Sequence, residues 1–273
     1  MPFPLSSLPI DCRYRLRDLA TPGEAYDLQI AAPHFHGINP IQKIKYVPLI
    51  VRVFINDDTQ FCAEPSRLVN LDSNELYSVY ANLHIQNLTT SHSAQLILDR
   101  FIINPGDLHF ENSVVTLKFL QHLAARRNLD TTFLTFEKCK LHTDFTLEVI
   151  CTMFQKLIIL ELCNSNPLSQ YWINTLIAMN YGNMFRLTIN DASIDVLNVD
   201  KNQLIKFVKA QRNGFKLSIS LKESSDDLEV NEMLETLFSY RFWQLTDYDH
   251  HDGGVVIRWR LLDEWHERYY SLS

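Results

Sequence analysis

Glycine, catalytic motifs and long apolar runs are scarce in this chain of 273 residues. With seven glycines, the sequence contains no P-loop, no dinucleotide-binding fingerprint, no G-x-S-x-G elbow and no H-E-x-x-H pair. Its apolar runs all fall short of the roughly 18 residues that a membrane-spanning helix needs. These absences predict a protein that is not an enzyme, takes no cofactor and does not cross a membrane.

Clustered positive charge is also missing. The chain has 25 basic and 32 acidic residues, a formal charge of −7, whereas a protein that grips a phosphate backbone needs grouped Lys and Arg. We therefore expect no nucleic-acid partner. Five cysteines are an odd number, and no leader sequence precedes them, which favours reduced thiols and a cytoplasmic or nuclear location.

The spacing of cysteine and histidine does not predict a metal site. The four residues that come closest to a zinc-binding pattern lack the paired C-x₂₋₄-C and H-x₃₋₅-H spacings that hold zinc. They are Cys139, His142, Cys151 and Cys163. Cys139 and Cys163 end two similar strand-like segments, a position that suits small buried hydrophobic side chains. The histidines within 34–36 and 250–252 lie beside turn residues, where we expect solvated loop side chains.

Two helix start signals are present in the first forty residues. Pro9 can stand at the beginning of a helix over 10–19, because its missing N–H is no loss there. Thr21 and Glu24 form a capping box around Pro22, which predicts a second helix from Pro22 that ends before Pro33.

This segment resembles an F-box. The matching residues are Phe3, Pro4, Leu5, Leu8, Pro9, Leu16, Leu19, the run EAYDLQIA at 24–31, Phe35 and Ile38. The opening FPL..LP is similar to the F-box family that is expanded in nematodes. The segments NVDKNQLIKFVKAQRNGFKLSI at 198–219 and GGVVIRWR at 253–260 are similar to the F-box-associated type 2 region of that family.

The resemblance implies a substrate-recruiting subunit of a cullin-RING (SCF-type) ubiquitin ligase. Residues 1–46 would be the F-box and bind a Skp-type adaptor, and residues 47–273 would recognise an unknown protein substrate. The implied adaptor contacts are Leu5, Leu8, Pro9, Leu16 and Leu28. The alternative is a repeat-type interaction protein without a ligase, in which Leu8 and Leu28 would pack inward against Ile50 or Phe54.

Beyond the first forty residues, strand-like and helix-like segments alternate. We expect strands over 48–57 and 80–88 and a helix from 112 or 113 to 127. Strand-like runs then start at 133, 157, 184 and 215, in steps of 24, 27 and 31 residues, in or near the leucine-rich-repeat range of roughly 20 to 29. The expected helices between and after them cover 144–155, 168–180, 201–211 and 227–240, with a last strand over 255–260.

This rhythm predicts an irregular leucine-rich-repeat-like array, and together with the helical segment that resembles an F-box it gives an α+β fold. An irregular α/β domain is the alternative.

In the array, alternate strand residues share a face, and one face would carry Thr135, Glu137, Ile159, Glu161, Arg186 and Thr188. We expect Glu137, Glu161 and Arg186 to bind the substrate. The aromatic residues near the C-terminus are a second candidate for the binding surface, since tryptophan and tyrosine are common at the centres of interfaces. The alternative is that they cap the end of the array. These residues are Phe242, Trp243, Trp259, Trp265, Tyr269 and Tyr270.

Overall fold

The computed structural model of the chain describes residues 7–33, 36–125, 130–165, 171–222, 227–238, 242–245, 254–261 and 264–272. The helices are α1 (Ile10–Leu19), α2 (Pro22–Ala31), α3 (Gln95–Leu98), α4 (Leu117–Ala125), α5 (Leu147–Met153), α6 (Trp172–Ala178), α7 (Lys201–Lys209) and α8 (Asp227–Leu237). The strands before α4 are β1 (Ile44–Val47), β2 (Val51–Ile55), β3 (Phe61–Glu64), β4 (Leu76–Val79), β5 (Asn82–Gln86), β6 (Phe101–Ile103), β7 (Asp107–Glu111) and β8 (Val114–Val115). Those after it are β9 (Phe133–Glu137), β10 (Lys140–Leu141), β11 (Ile159–Cys163), β12 (Arg186–Ala192), β13 (Lys216–Leu221), β14 (Phe242–Leu245), β15 (Gly254–Leu261) and β16 (Glu264–Leu272).

Eight parallel strands in chain order form the centre of an eleven-stranded sheet. They run from β2 through β5, β7, β9, β11, β12 and β13 to β15. At one edge β3 pairs antiparallel with β2; at the other, β16 pairs antiparallel with β15, and β14 with β16. The chain is thus a mixed α/β protein with a large mixed sheet, and the two predicted N-terminal helices are present.

Alternation along the strands divides the sheet into a buried face and a half-buried face. On β9, Leu134 and Phe136 are buried while Thr135 and Glu137 are half-buried, and β5, β7 and β11 show the same alternation. The buried side packs against helices, for example Ile150 of α5, in one continuous core. Phe110 and Phe136 stack in that core with ring centroids 5.3 Å apart. The predicted division of faces between Glu137, Glu161 and Arg186 on one side and the apolar residues on the other is confirmed.

The same backbone turn follows five successive strands. The residue after each strand, or close to its end, has a positive φ between 44° and 58°; these residues are Asn87, Asn112, Lys138, Asn164 and Asp191. The N–H of Asn112 donates to the Glu137 carbonyl, and the N–H of Lys138 donates to the Cys163 carbonyl. Asparagine tolerates this left-handed conformation better than most residues do. The N–H groups of Asn87 and Asn164 donate in the same way to the carbonyls of Glu111 and Asn190, so four of these turns are hydrogen-bonded to the end of the next strand.

A second, smaller parallel sheet contributes to the main core and to a cavity beside α2. It has the order β1, β4, β6. Tyr77 and Val79 of β4 belong to the main core. Leu76 and Ile102 line a cavity of about 180 Å³ together with Ile30 of α2. The predicted domain boundary after residue 46 falls within β1, and it stays a prediction.

The N-terminal elements follow their sequence signals closely. The predicted bounds of α1 and α2 are confirmed, and Thr21 and Glu24 form the predicted capping box. Arg17 of α1 is buried and donates through Nη2 to Gln42 Oε1 at 3.1 Å. The expected turn near Phe35 lies partly outside the described residues.

Three sequence expectations need correction. The register pairs Leu134 with Leu160, Leu160 with Leu187 and Leu187 with Leu217, so the steps are 26, 27 and 30 residues, not 24, 27 and 31. The first step changes because β11 begins at Ile159, two residues after the start of the run at 157. Cys139 is therefore not equivalent to Cys163, which pairs with Glu137. Instead, the backbone N–H of Cys139 donates to the hydroxyl of Ser165 at 2.7 Å.

Two segment ends also differ from expectation. The helix expected from residue 112 or 113 begins at Leu117, because Val114 and Val115 form β8, which pairs with β10. Its expected end at 126–127 lies outside the described residues. The strand β15 is not the last one, since β16 follows it and pairs with it.

Candidate functional site on the polar face of the sheet

The side chains on the half-buried side of the parallel strands, most of them polar, form a surface that we call the open face. Its members from β5 to β12 are Asn82, His84, Gln86, Asp107, His109, Glu111, Phe133, Thr135, Glu137, Ile159, Glu161, Cys163, Arg186, Thr188 and Asn190. The register places His84, His109, Thr135, Glu161 and Thr188 in one row across five strands. Neighbouring side chains in such a row lie about 5 Å apart, so they interact directly.

Two of the three predicted substrate-binding residues contact each other. Glu161 Oε1 and Arg186 Nη1 lie 3.4 Å apart across β11 and β12. Glu137 belongs to the next row, level with Cys163 rather than with Glu161. Its Oε2 lies 3.5 Å from His109 Nε2, and its Oε1 lies 3.5 Å from Lys138 Nζ. The three residues share the open face, but they form two separate charge groups.

A pair of histidines adjoins Glu137. The rings of His84 and His109 have centroids 4.8 Å apart. His109 Nε2 is sealed from solvent and has no hydrogen-bond partner among the described residues. Its 3.5 Å approach to Glu137 is close enough for ion pairing and too poorly aligned for a hydrogen bond. This nitrogen is an unsatisfied polar atom, an uncommon arrangement in a folded protein.

The remaining carboxylates near these histidines bind amide groups. Asn82 Nδ2 donates to Asp107 Oδ2 at 3.1 Å, and Gln86 Nε2 donates to Glu111 Oε2. Burial raises the pKa of Asp107 above its usual value, against the opposing effect of the two histidines. Burial, and next the proximity of His109, lowers the pKa of His84. The site therefore disfavours charge on both residues.

The predicted adaptor-binding residues lie on and before the first two helices. Leu8, Leu16 and Leu28 are half-buried, Pro9 is exposed at the N-cap of α1, and Leu5 lies outside the described residues. Other large apolar side chains nearby are more exposed: Ile10 is 51% exposed and Leu19 is 75% exposed. Ile50 is half exposed and Phe54 is half-buried, and the packing of Leu8 and Leu28 against them stays a prediction.

The aromatic residues near the C-terminus divide between core and surface. Trp259 and Tyr270 are buried. Trp259 Nε1 donates to Asp227 Oδ1 at 2.7 Å, and Tyr270 stacks on Phe238 with centroids 3.9 Å apart. Trp265 is exposed and Tyr269 is half-buried, while the side chains of Phe242 and Trp243 lie outside the described residues. Trp259 and Tyr270 thus close the end of the core.

The cysteines considered as metal ligands are dispersed. Burial raises the pKa of the Cys139 thiol to about 11 and that of the Cys151 thiol to about 12, whereas a zinc ligand is a thiolate. His142 is exposed and lies 2.6 Å from Asp144. No three His, Cys, Asp or Glu side chains gather into a metal-binding group within the described part of the chain. The histidines at 250 and 251, and His34, lie outside that part.

Sequence reasoning missed β7 and with it Asp107, His109 and Glu111. A signal was present, because NLHIQN at 82–87 and DLHFEN at 107–112 match at a spacing of 25 residues. A short internal repeat of this kind indicates equivalent strands in adjacent units. The register confirms the equivalence, since His84 pairs with His109 and Gln86 pairs with Glu111.

Comparisons of the chain with models of protein families, with characterised proteins and with solved structures find no match. Among the described residues, every helix is too short or too polar to cross a lipid bilayer.

Proposed function

We propose that this chain recruits substrates to a cullin-RING (SCF-type) ubiquitin ligase. In this proposal residues 1–46 bind a Skp-type adaptor, and the open face of residues 47–273 binds the target protein. The observation that carries the proposal is the exposure of large apolar side chains on two short N-terminal helices. Ile10, Tyr14, Leu19 and Ile30 are all exposed there, and monomeric proteins seldom leave such a group uncovered.

The F-box-like residues and these exposed side chains occupy the same helices. Leu8 and Leu16 are half-buried, so part of each remains accessible to an adaptor. Helix α1 is fixed at its base, because Arg17 donates to Gln42 and, through Nε, to the Pro40 carbonyl at 3.2 Å. The exposed apolar side chains Ile10, Tyr14 and Leu19 lie among the exposed charged residues Asp11, Arg15 and Asp18. Because the base of α1 is held in place, these side chains can contact a partner with little loss of conformational entropy.

For the remainder of the chain we propose a leucine-rich-repeat-like array. Its support is the parallel order of eight strands, the spacing of 25 to 30 residues from Leu83 to Leu217, and the left-handed turn after five strands. Ser113 and Ser165 add a further recurring feature, since their hydroxyls accept the N–H groups of Leu88 and Cys139. Stacked units of this kind present an extended surface for binding another protein.

A pull-down of a purified Skp-type adaptor by the full chain tests adaptor binding. The wild-type chain should retain the adaptor, and the double variant Leu8→Ala with Pro9→Ala should not. A second variant, Ile10→Ser with Leu19→Ser, alters exposed positions and should also lose binding while remaining folded. Leu228→Ser on α8 is the matched control, because Leu228 is exposed as well. Failure of the wild-type chain to retain the adaptor would reject the proposal.

The second candidate is a repeat-type interaction protein that meets no ligase. The contact between α2 and α3 favours it. Thr21 Oγ1 donates to Asp99 Oδ1 at 3.1 Å, and the N–H of Gly23 donates to the Asp99 carbonyl at 2.9 Å. These bonds attach α2 to the rest of the chain, as a cap on the array requires. The same pull-down separates the candidates, because a cap binds no adaptor.

A further inference from the structure

An open groove of about 610 Å³ lies at one end of the open face. It is next to β3, which is the last strand at that edge of the main sheet. The lining residues that carry charge or a large apolar side chain are Leu49, Ile50, Arg52, Glu64, Arg67 and His84. Ligand sites are usually concave spaces of roughly 300–1,000 Å³, so the size of this space, which we call the arginine groove, suits a ligand.

The positive charge of the arginine groove is only partly neutralised. Arg52 Nη1 lies 3.1 Å from Glu64 Oε2, a contact that uses one of the five N–H donors of the guanidinium. Arg67 is exposed, and its side chain makes no hydrogen bond or ion pair with another described residue. Burial, and next the proximity of His109, lowers the pKa of His84, so its ring is neutral at neutral pH. Two arginines and one glutamate therefore leave a single net positive charge, in a chain whose formal charge is −7.

The backbone beneath both arginines is ordered. Arg52 belongs to β2 and is level with His84 on β5. Arg67 follows β3 in a turn, in which the N–H groups of Leu68 and Val69 donate to the Pro65 carbonyl at 2.9 and 3.1 Å. Val69 is buried and anchors this turn. A planar guanidinium offers paired donors that match the two oxygens of a carboxylate, so the groove is complementary to an acidic group.

The apolar wall of the groove and the sheet edge describe the ligand further. Leu49 and Ile50 are adjacent in the chain and are 47% and 50% exposed. An apolar ligand group that covers them excludes water from the nearby arginines, and an ion pair is stronger where water is excluded. No described strand pairs with the outer side of β3, so an extended polypeptide can run along this edge and into the groove. The arrangement suits a peptide in which an acidic and an apolar side chain lie close together.

We propose that the arginine groove binds a segment of the target protein that carries one Asp or Glu beside a large apolar residue. One carboxylate balances the single net positive charge, whereas a phosphoryl group would bring nearly two negative charges close to Glu64. This rests on the proposed function, since it gives the chemistry of the target that the ligase would receive. A second copy of the chain is a poorer occupant, because both copies carry a formal charge of −7 and repel each other.

An NMR titration of peptides with the full chain tests the groove, because it detects weak complexes. The probe is a nonapeptide with a central Glu between two Leu residues and with Gly and Ser elsewhere. Its two counterparts carry Gln or phosphoserine in place of the Glu. The groove variant is Arg52→Gln with Arg67→Gln. The lysine control, Lys206→Gln with Lys209→Gln, removes the same formal charge from exposed positions of α7.

The wild-type chain and the lysine control should bind the Glu peptide with similar affinity. The groove variant should bind it about tenfold more weakly, because hydrogen bonds between charged groups are lost. The Gln peptide should bind the wild-type chain about tenfold more weakly for the same reason. Ile50→Ser should also weaken binding of the Glu peptide, whereas Leu228→Ser, at an exposed position of α8, should not.

Equal losses in the groove variant and the lysine control, or no binding by the wild-type chain, would overturn the proposal. Tighter binding of the phosphoserine peptide would assign the groove to phosphoryl groups, and self-association that the groove variant abolishes would assign it to a second copy. Either result would overturn the proposal as well. Adaptor retention by the full chain is measured in parallel, because a chain that binds the Glu peptide but no adaptor contradicts only the proposed function.

Discussion

Glu161 on β11 and Arg186 on β12 neutralise each other, with Oε1 and Nη1 3.4 Å apart. The sequence analysis predicts that both residues lie on one face and that each binds the substrate independently. The ion pair alters that interpretation, because reversing both charges would preserve their attraction. A combined charge reversal at Glu137, Glu161 and Arg186 is thus a weaker test of substrate capture than neutralisation of single residues.

Glu161→Gln should leave the stability of the fold nearly unchanged. Both partners are partly exposed, with side-chain exposures of 29% and 42%, and exposed ion pairs contribute about 0 to 1 kcal/mol. Urea unfolding should show a loss of under about 1 kcal/mol for this variant. A loss several times larger would mean that the pair is part of the folded core and not of a binding surface.

Phe136→Ala should destabilise the fold strongly. Phe136 is fully buried, stacks on Phe110 and meets Phe145 edge-on at 5.4 Å. Removal of a buried phenylalanine costs about 3–5 kcal/mol, because a cavity remains. Phe133→Ala on the same strand is the control, and it should cost much less since Phe133 is partly exposed. If the two variants unfold at the same denaturant concentration, the assignment of Phe136 to the buried face and Phe133 to the open face of β9 is wrong.

Substitutions of Lys138 test the left-handed turn that recurs at the ends of five strands. Its φ is 51°, while Asn87, Asn112 and Asn164 occupy the corresponding turns. Lys138→Asn should therefore maintain or slightly raise the free energy of unfolding. Lys138→Val should lower it by about 1–2 kcal/mol, because a β-branched residue is strained in the left-handed region. Thermal melts compare the two, and a valine variant as stable as the asparagine variant would refute the repeated turn.

Protonation of His84 should reduce stability at acidic pH. Burial, followed by His109, lowers the pKa of His84 below 6.5 in the folded chain. The unfolded chain then binds the proton more readily, so the contribution of His84 favours folding above pH 6.5 and is lost as the pH falls through its folded pKa. His84→Gln should reduce the fall in melting temperature over this range.

Asp107 supplies an internal check on that titration. Its pKa is raised above 3.8, mainly by burial, so its contribution has the opposite sign and weakens folding as the pH rises through the folded pKa. Asp107→Asn should raise the melting temperature at neutral pH relative to the wild-type chain. If His84→Gln shows the same dependence of melting temperature on pH as the wild-type chain, the pair of His84 and His109 does not cause the loss of stability at acidic pH.

Local signals predicted the fold better than they predicted the site. The capping box of Thr21 and Glu24 fixed the start of α2, because its hydrogen bonds involve residues three apart in the chain. Alternation gave the faces of β9 and β11 for the same reason. The contact of Glu137 with His109 depends on the register between β7 and β9, and β7 was not among the predicted strands. The repeat of NLHIQN in DLHFEN indicates β7 and its register with β5, but it does not give the register of β7 with β9.

Interactions between distant segments were beyond prediction from local patterns. The small sheet of β1, β4 and β6 joins strands between which the chain passes through the main sheet, and its short apolar segments do not reveal their partners. Burial of Arg17 against Gln42 likewise depends on how α1 meets the chain after α2. Such contacts follow from tertiary packing, which overrides local propensity.

Assembly of the ligase tests the central claim most directly. Size-exclusion chromatography of the full chain mixed with a purified Skp-type adaptor and a cullin should give one peak that contains all three proteins. The Ile10→Ser with Leu19→Ser variant should elute apart from the adaptor and the cullin, while Leu228→Ser should co-elute with them. A wild-type chain that elutes alone would contradict the account, and so would an Ile10→Ser with Leu19→Ser variant that still joins the complex.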